Sequence, residues 1–205
     1  MYPFVETIRI EGGSPHNLPY HQARMERTMR HFFPGAHVPL LKDELARTEW
    51  PQDGILKVHV EYSEQGILLV KAEEYHVRAI KKLRLIGCDD IDYTYKSADR
   101  RSLEQLARQK GDADEIIIVK HGLLTDTSYS NIALYDGTQW VTPRTPLLKG
   151  TMRQALLDEG LLTERDITPN DYKGYQKVSL INAMMPLGML TITLPQCHHS
   201  RTCTD

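Results

Sequence analysis

Four short stretches hold the residues whose types and spacing could do chemistry. Lys96 stands where an alternating stretch gives way to a helical one in "IDYTYKSADRRSLEQL". Asp126 opens "DTSYSN", with Ser130 and Asn131 close behind it. "LKGTMR" puts Gly150 just before a predicted helix start at Thr151 and Met152, and Arg24 closes "HQAR". Each has an ordinary structural reading when taken alone. A lysine can snorkel from a strand end, and Asp, Ser and Asn serve turns by bonding to nearby backbone. Thr151 can cap a helix, and "HQAR" can be solvated helix surface.

Together the four suggest a different chemistry. A helix start preceded by glycine offers unpaired backbone N–H groups and a positive dipole end, which suits a phosphate. Arg24 could add a bidentate contact to the same phosphate. A lysine kept neutral by its surroundings can form an imine with an aldehyde. A carboxylate such as Asp126 can hold a pyridine nitrogen protonated. Phosphate, aldehyde and pyridine nitrogen are the three handles of pyridoxal 5'-phosphate.

The elements that must position these residues follow from periodicity. "FVETIRIEGG" reads as a strand ending in a Gly-Gly turn. "LPYHQARMERTMRHFF" reads as a helix with Met25, Met29 and Phe32 on one stripe and basic residues on the other. A short helix around "KDELARTEW" follows, then two strands in "GILKVHVEYSEQGILLVKAEEYHV" joined by a turn at Glu64–Gly66. Residues 1–77 are thus expected to form a small α+β lobe. Residues 78–205 are expected to form a larger, strand-rich lobe that carries the lysine. It begins with the strand and hinge "RAIKKLRLIG". The alternation of Ile91, Tyr93 and Tyr95 predicts a strand ending at Lys96. A helix carrying Leu103 and Leu106 comes next, then short strands broken by "HG" and "DG" turns. A helix stopping at Gly160 and one or two closing strands complete it. The tail, 196–205, has no apolar pattern and reads as frayed.

Composition narrows the class further. The chain has 205 residues, enough for one large domain or two lobes, and a net charge of −2. That balance gives no reason to expect nucleic acid or an anionic membrane surface as a partner. No apolar run approaches the roughly 20 residues that span a bilayer, and no signal segment is evident at the N-terminus. Cys88, Cys197 and Cys203 are an odd number at uneven spacing, which points to a reducing cytoplasm. "CHHSRTC" contains ligand-type residues but lacks a second ligand pair, so no metal site is expected and a metal-binding or non-catalytic protein is only the remote alternative.

The order and spacing of the pieces resemble the fold type IV pyridoxal-phosphate enzymes. These include the branched-chain and D-amino acid aminotransferases and aminodeoxychorismate lyase. The matching stretches are "FVETIRI", "YHQARM", "YKSADRRSLEQL", "DEIIIVKHGLLTDTSYSNIAL", "WVTP", "LLKGTMRQALL" and "INAM", in the family's order from Phe4 to Met184. The resemblance implies the two-lobed fold of that family and pyridoxal phosphate as cofactor. It also implies a homodimer with its active site near the subunit interface, for which Trp50 and Tyr62 look like exposed aromatics.

Lys96 then matches the Schiff-base lysine and Arg24 the phosphate-binding arginine. Thr151 and Met152 match the loop whose backbone amides hold the phosphate, with Gly150 allowing close approach. Asp126 stands where most of the family has glutamate, one methylene longer, and Ser130 and Asn131 match the polar pair behind the cofactor. Larger members also carry a strand-rich segment ahead of the first matching stretch. The lysine, three residues, arginine, then "LEQ" resembles the lyase more than the aminotransferases. That leaning implies 4-amino-4-deoxychorismate as the amino substrate and 4-aminobenzoate and pyruvate as products, with an amino acid aminotransferase as the alternative. Arg100 could orient its helix or meet an acidic substrate.

Overall fold

The computed structural model describes residues 3–195; the Cys/His tail lies outside them. Strand β1 (Phe4–Glu11) turns through Gly12 and Gly13 into β2 (Ser14–Pro15). Both glycines have positive φ, +56° and +68°, the region a tight hairpin turn demands. Helix α1 (Leu18–Phe32) and the short α2 (Leu41–Leu45) follow, then β3 (Ile55–Ser63) and β4 (Gly66–Glu74). These strands make one sheet in the order β2-β1-β3-β4, antiparallel throughout. Ile8, Ile10, Val58 and Val60 on the sheet bury against Met25, Met29 and Leu41 of the helices.

Beyond β4 the chain builds a second, mixed sheet. Its strands are β5 (Leu83–Gly87), β6 (Glu115–Lys120), β7 (Leu123–Thr127), β8 (Asn131–Tyr135) and β9 (Trp140–Pro143). It continues with β10 (Thr163–Arg165), β11 (Lys177–Ile181) and β12 (Thr191–Thr193). β8 pairs with β7, β9 and β11, so the sheet branches there. The turn between β6 and β7 is His121-Gly122, both at positive φ, as the "HG" signal predicts. Helices α3 (Arg101–Ala107), α4 (Thr151–Asp158) and α5 (Pro169–Tyr172) join these strands. Helix α4 stops as expected at Gly160, where Gly160 and Leu161 N–H close on Leu157 and Leu156 carbonyls. No helix among the described residues is long and apolar enough to cross a membrane.

Three sequence expectations need correction. Residues 91–95 form no strand. Its backbone pairs with β1 only beyond Tyr95, where Ser97 bridges Phe4 and Val5 N–H donates to the Lys96 carbonyl at 2.9 Å. With so little ladder to join, the segment stays irregular despite its alternating pattern. Helix α1 does not put its basic residues on one solvated side: His21 and Arg24 are buried with Met25, Thr28 and Met29. Finally, Tyr62 is fully buried, and Trp50 is half-buried with its indole N–H on the Leu45 carbonyl. Neither offers an exposed aromatic face.

Candidate functional site

A cavity of about 650 Å3 lies between the two sheets and gathers most of the predicted residues. Arg24, Lys96, Arg100, Asp126, Ser130, Asn131, Gly150 and Thr151 all line it. Met152 does not: its side chain packs into the apolar cluster with Ala133, Leu156 and Ile181. Only its backbone belongs to the first turn of α4.

Lys96 enters the cavity from the segment strapped to β1. Its amine forms no hydrogen bond or ion pair with any described residue. Enclosure by the cavity walls, then the nearby Arg24 guanidinium, push its pKa down to about 7, against the pull of Glu6. The amine is therefore substantially neutral near pH 7, which is what a nucleophilic lysine needs.

Asp126 lies on β7, one residue before its end, opposite Asn131 of β8. One of its oxygens accepts from Asn131 Nδ2 at 2.8 Å and the other from Leu148 N–H at 2.9 Å. Among the described residues it has no ion-pair partner. Burial pushes its pKa up to about 6; the neutral donors and the Arg153 guanidinium, which makes no contact with it, only partly oppose this. Asn131 also donates to the Leu148 carbonyl at 2.8 Å, so one amide ties β8 to the segment before α4. That contact explains Gly150. Its backbone is ordinary, φ −68°, but a Cβ there would stand 2.0 Å from Asn131 Oδ1. The glycine makes room for Asn131. Ser130 stays within its own turn, hydroxyl to hydroxyl with Thr127 at 2.8 Å.

Helix α4 begins at Thr151 with Gly150 as N-cap, no capping side chain and no acidic residue in its first turn. Its leading N–H groups and dipole are thus open to an anion at the cavity wall. Thr151 does not cap the helix; its hydroxyl lies 3.3 Å from His21 Nε2. Arg24 commits one edge to Glu6, with Nε to Oε1 at 2.9 Å and Nη2 to Oε2 at 2.6 Å. Its Nη1 remains for another partner. Arg100 Nη2 donates to the Ser128 carbonyl at 2.7 Å and its guanidinium lies 5.7 Å from the Tyr93 ring centre. It ties the lysine segment to the 127–130 turn.

Glu6 and His21 escaped the sequence reading. Glu6 is fully buried, and burial alone would raise its pKa, but Arg24 and His21 hold it at about 2. His21 Nδ1 lies 2.6 Å from Glu6 Oε2. The signal was present in β1: Phe4, Glu6, Ile8 and Ile10 share one face by period-2 alternation, so a carboxylate sits in an apolar row.

These groups fit pyridoxal phosphate part by part: an uncapped helix start beside an arginine, an unpartnered amine with a lowered pKa, and a buried carboxylate with no cation in contact. Comparisons with known proteins agree. The family model for class IV aminotransferases matches residues 72–192. An uncharacterized protein of Haemophilus influenzae is 36% identical over 186 residues, covering 90% of this chain and 98% of the relative. A crystal structure from Haemophilus somnus, provisionally named a 4-amino-4-deoxychorismate lyase, is 33% identical with a TM-score of 0.86. It matches 91% of this chain and 98% of its own. The pyridoxal-phosphate-bound form of a hypothetical aminotransferase from Mycobacterium tuberculosis shares the fold at 15% identity. Its TM-score is 0.72, over 95% of this chain and 81% of that one. The chain belongs to the class IV aminotransferase family, whose enzymes depend on pyridoxal phosphate.

Proposed function

We propose that this protein is a pyridoxal-phosphate-dependent 4-amino-4-deoxychorismate lyase that works as a homodimer. The observation that carries the cofactor reading is the pairing, in one cavity, of Lys96 without a partner and Asp126 without a cation. The lyase reading is supported by the 33% identity to the provisionally named lyase along almost the whole of both chains. The "K…R..LEQ" context of Lys96 supports it as well.

Lys96 would supply the amine for the cofactor's aldehyde carbon. Arg24 and the first turn of α4 would hold its phosphate, and Asp126 would keep the proton on its pyridine nitrogen. When bound, pyridoxal phosphate serves as the electron sink for a carbanion next to the substrate nitrogen. Lys96 would accept the proton from the substrate carbon that bears the amine. The net reaction gives up that proton and the C–O bond to the enolpyruvyl group, leaving the ring aromatic as 4-aminobenzoate, while the released enolate takes up a proton to become pyruvate.

The test is to supply 4-amino-4-deoxychorismate without any keto-acid acceptor. Formation of 4-aminobenzoate and pyruvate is expected. Turnover that requires a keto acid would make the protein an aminotransferase instead. Lys96→Ala should abolish both turnover and the adduct that borohydride traps; an adduct surviving in that variant would move the attachment to another lysine.

A further inference from the structure

The two groups able to hold an anion at this cavity come from different parts of the chain. Arg24 sits on α1, while the open N–H groups belong to α4. An anion grips both only if the helices keep one spacing, so whatever pins α1 to α4 governs the site. Tyr20 hydroxyl donates to Asp158 at 2.9 Å on the exposed side, and Asn17 Nδ2 lies 4.0 Å from the Met152 sulfur. The buried pin is His21, whose ring lies between Glu6 and Thr151 with no exposed side-chain surface.

The chemistry of Glu6 fixes how that pin works. With its pKa near 2, Glu6 is ionised at neutral pH and can only accept. His21 Nδ1 must therefore carry the hydrogen. Burial pushes the His21 pKa below its ordinary value, despite the pull of Glu6, so the ring is neutral at pH 7. Its Nε2 is then a bare acceptor, and Thr151 hydroxyl, 3.3 Å away, must be the donor. The hydroxyl hydrogen therefore turns toward α1.

We propose that His21 is a positioning residue: locked by Glu6, it anchors Thr151 and holds the start of α4 at a fixed spacing from Arg24. This rests on the reading that the cofactor phosphate sits between them. Such preorganisation acts on the phosphate end of the ligand and leaves its ring untouched.

The discriminating probes are pyridoxal phosphate and pyridoxal, titrated separately into apo protein. His21→Asn keeps a donor for Glu6 but loses the acceptor for Thr151; Thr151→Val loses the hydroxyl and keeps the shape. Each should weaken pyridoxal phosphate by about three- to tenfold, the span of one net hydrogen bond, and leave pyridoxal unchanged. The double variant should be no weaker than either single one, since both cut the same bond. Thr151→Ser should restore binding. Equal losses for both ligands, additive losses in the double variant, or no loss in either would overturn the proposal. If His21→Asn does not fold, the nitrogen resonance of His21 Nε2 decides it: a shift between wild type and Thr151→Val in the apo protein is expected, and an unchanged resonance would overturn the proposal. Wild-type protein binding pyridoxal as tightly as its phosphate would instead refute the phosphate cradle, and the proposal would fall with it.

Discussion

Glu6 on β1 and Asp126 on β7 are both buried carboxylates, one from each sheet, and their pKa values move in opposite directions. Burial raises both. Glu6 then meets a guanidinium and a histidine N–H, which bring it to about 2. Asp126 meets an amide and a backbone N–H, both neutral, feels a guanidinium only from Arg153 without contact, and stays near 6. Arg24 completes the first group without any ligand, so it serves as scaffold. The second lacks a positive charge that a ligand can bring, and a protonated pyridine is such a charge. Solvation and pairing separate a structural carboxylate from a chemical one here more clearly than sequence context does.

The comparison can be broken most directly at Glu6. Glu6→Gln keeps the shape but leaves Arg24 buried without its counter-charge. Losing one partner of a buried ion pair costs about 3–5 kcal/mol, so the urea midpoint should fall far below wild type. A loss under about 1 kcal/mol, the scale of an exposed pair, would show that Glu6 is no scaffold.

At Asp126 the same change should act on rate and spare stability. Asp126→Asn removes a charge that burial disfavours but also turns one of two accepting oxygens into an NH2 that cannot accept from Asn131 or Leu148, so the two effects oppose and the melting temperature should change little. The cofactor should still bind through its phosphate and Lys96. Proton abstraction should slow by on the order of 3–4 kcal/mol in barrier, a few hundredfold, because an uncharged pyridine stabilises negative charge poorly. Exchange of the substrate's amine-bearing C–H in deuterated water measures that step. An early-melting variant with wild-type exchange would reduce Asp126 to turn chemistry. Asp126→Glu should keep measurable activity.

Most elements were legible because their burial follows one period. β1, β3 and β4, α1, and the β6–β7 hairpin all lie close to where alternation and turn residues put them. Of the chemical residues named in advance, Lys96, Asp126, Asn131 and Thr151 do line one cavity. What sequence did not reveal was partnership over distance. Arg24 read as half of a phosphate clamp, yet one of its edges closes on Glu6, 18 residues away on another element. Gly150 read as room for a phosphate, yet the space beside it is filled by Asn131. Periodicity says which way a side chain points; it does not say what waits there.

The smallest effect to test is the pH dependence of stability in the apo protein, where the two carboxylates should act with opposite sign. Glu6 has its folded pKa depressed from 4.5 to about 2. Its contribution is complete above pH 4.5 and is lost as pH falls toward 2, worth about 3 kcal/mol at 1.36 kcal/mol per unit. Asp126 has its folded pKa raised from 3.8 to about 6. Its ionised form weakens the fold above pH 6, and protonation relieves that by up to about 3 kcal/mol as pH falls toward 4. The stability of wild type minus that of Asp126→Asn should therefore rise on acidification from pH 6 to 4. Subtraction removes the contributions of other groups, His21 among them, wherever the variant leaves them unchanged. Wild type minus Glu6→Gln should instead fall below about pH 4.5, in addition to the change near the His21 titration that losing the Glu6 contact brings. Saturating pyridoxal phosphate should flatten the Asp126 curve, because a nearby positive charge lowers that carboxyl's pKa, and should leave the Glu6 curve unchanged. If the cofactor flattened the Glu6 curve and spared that of Asp126, the assignments of scaffold and site would have to be exchanged.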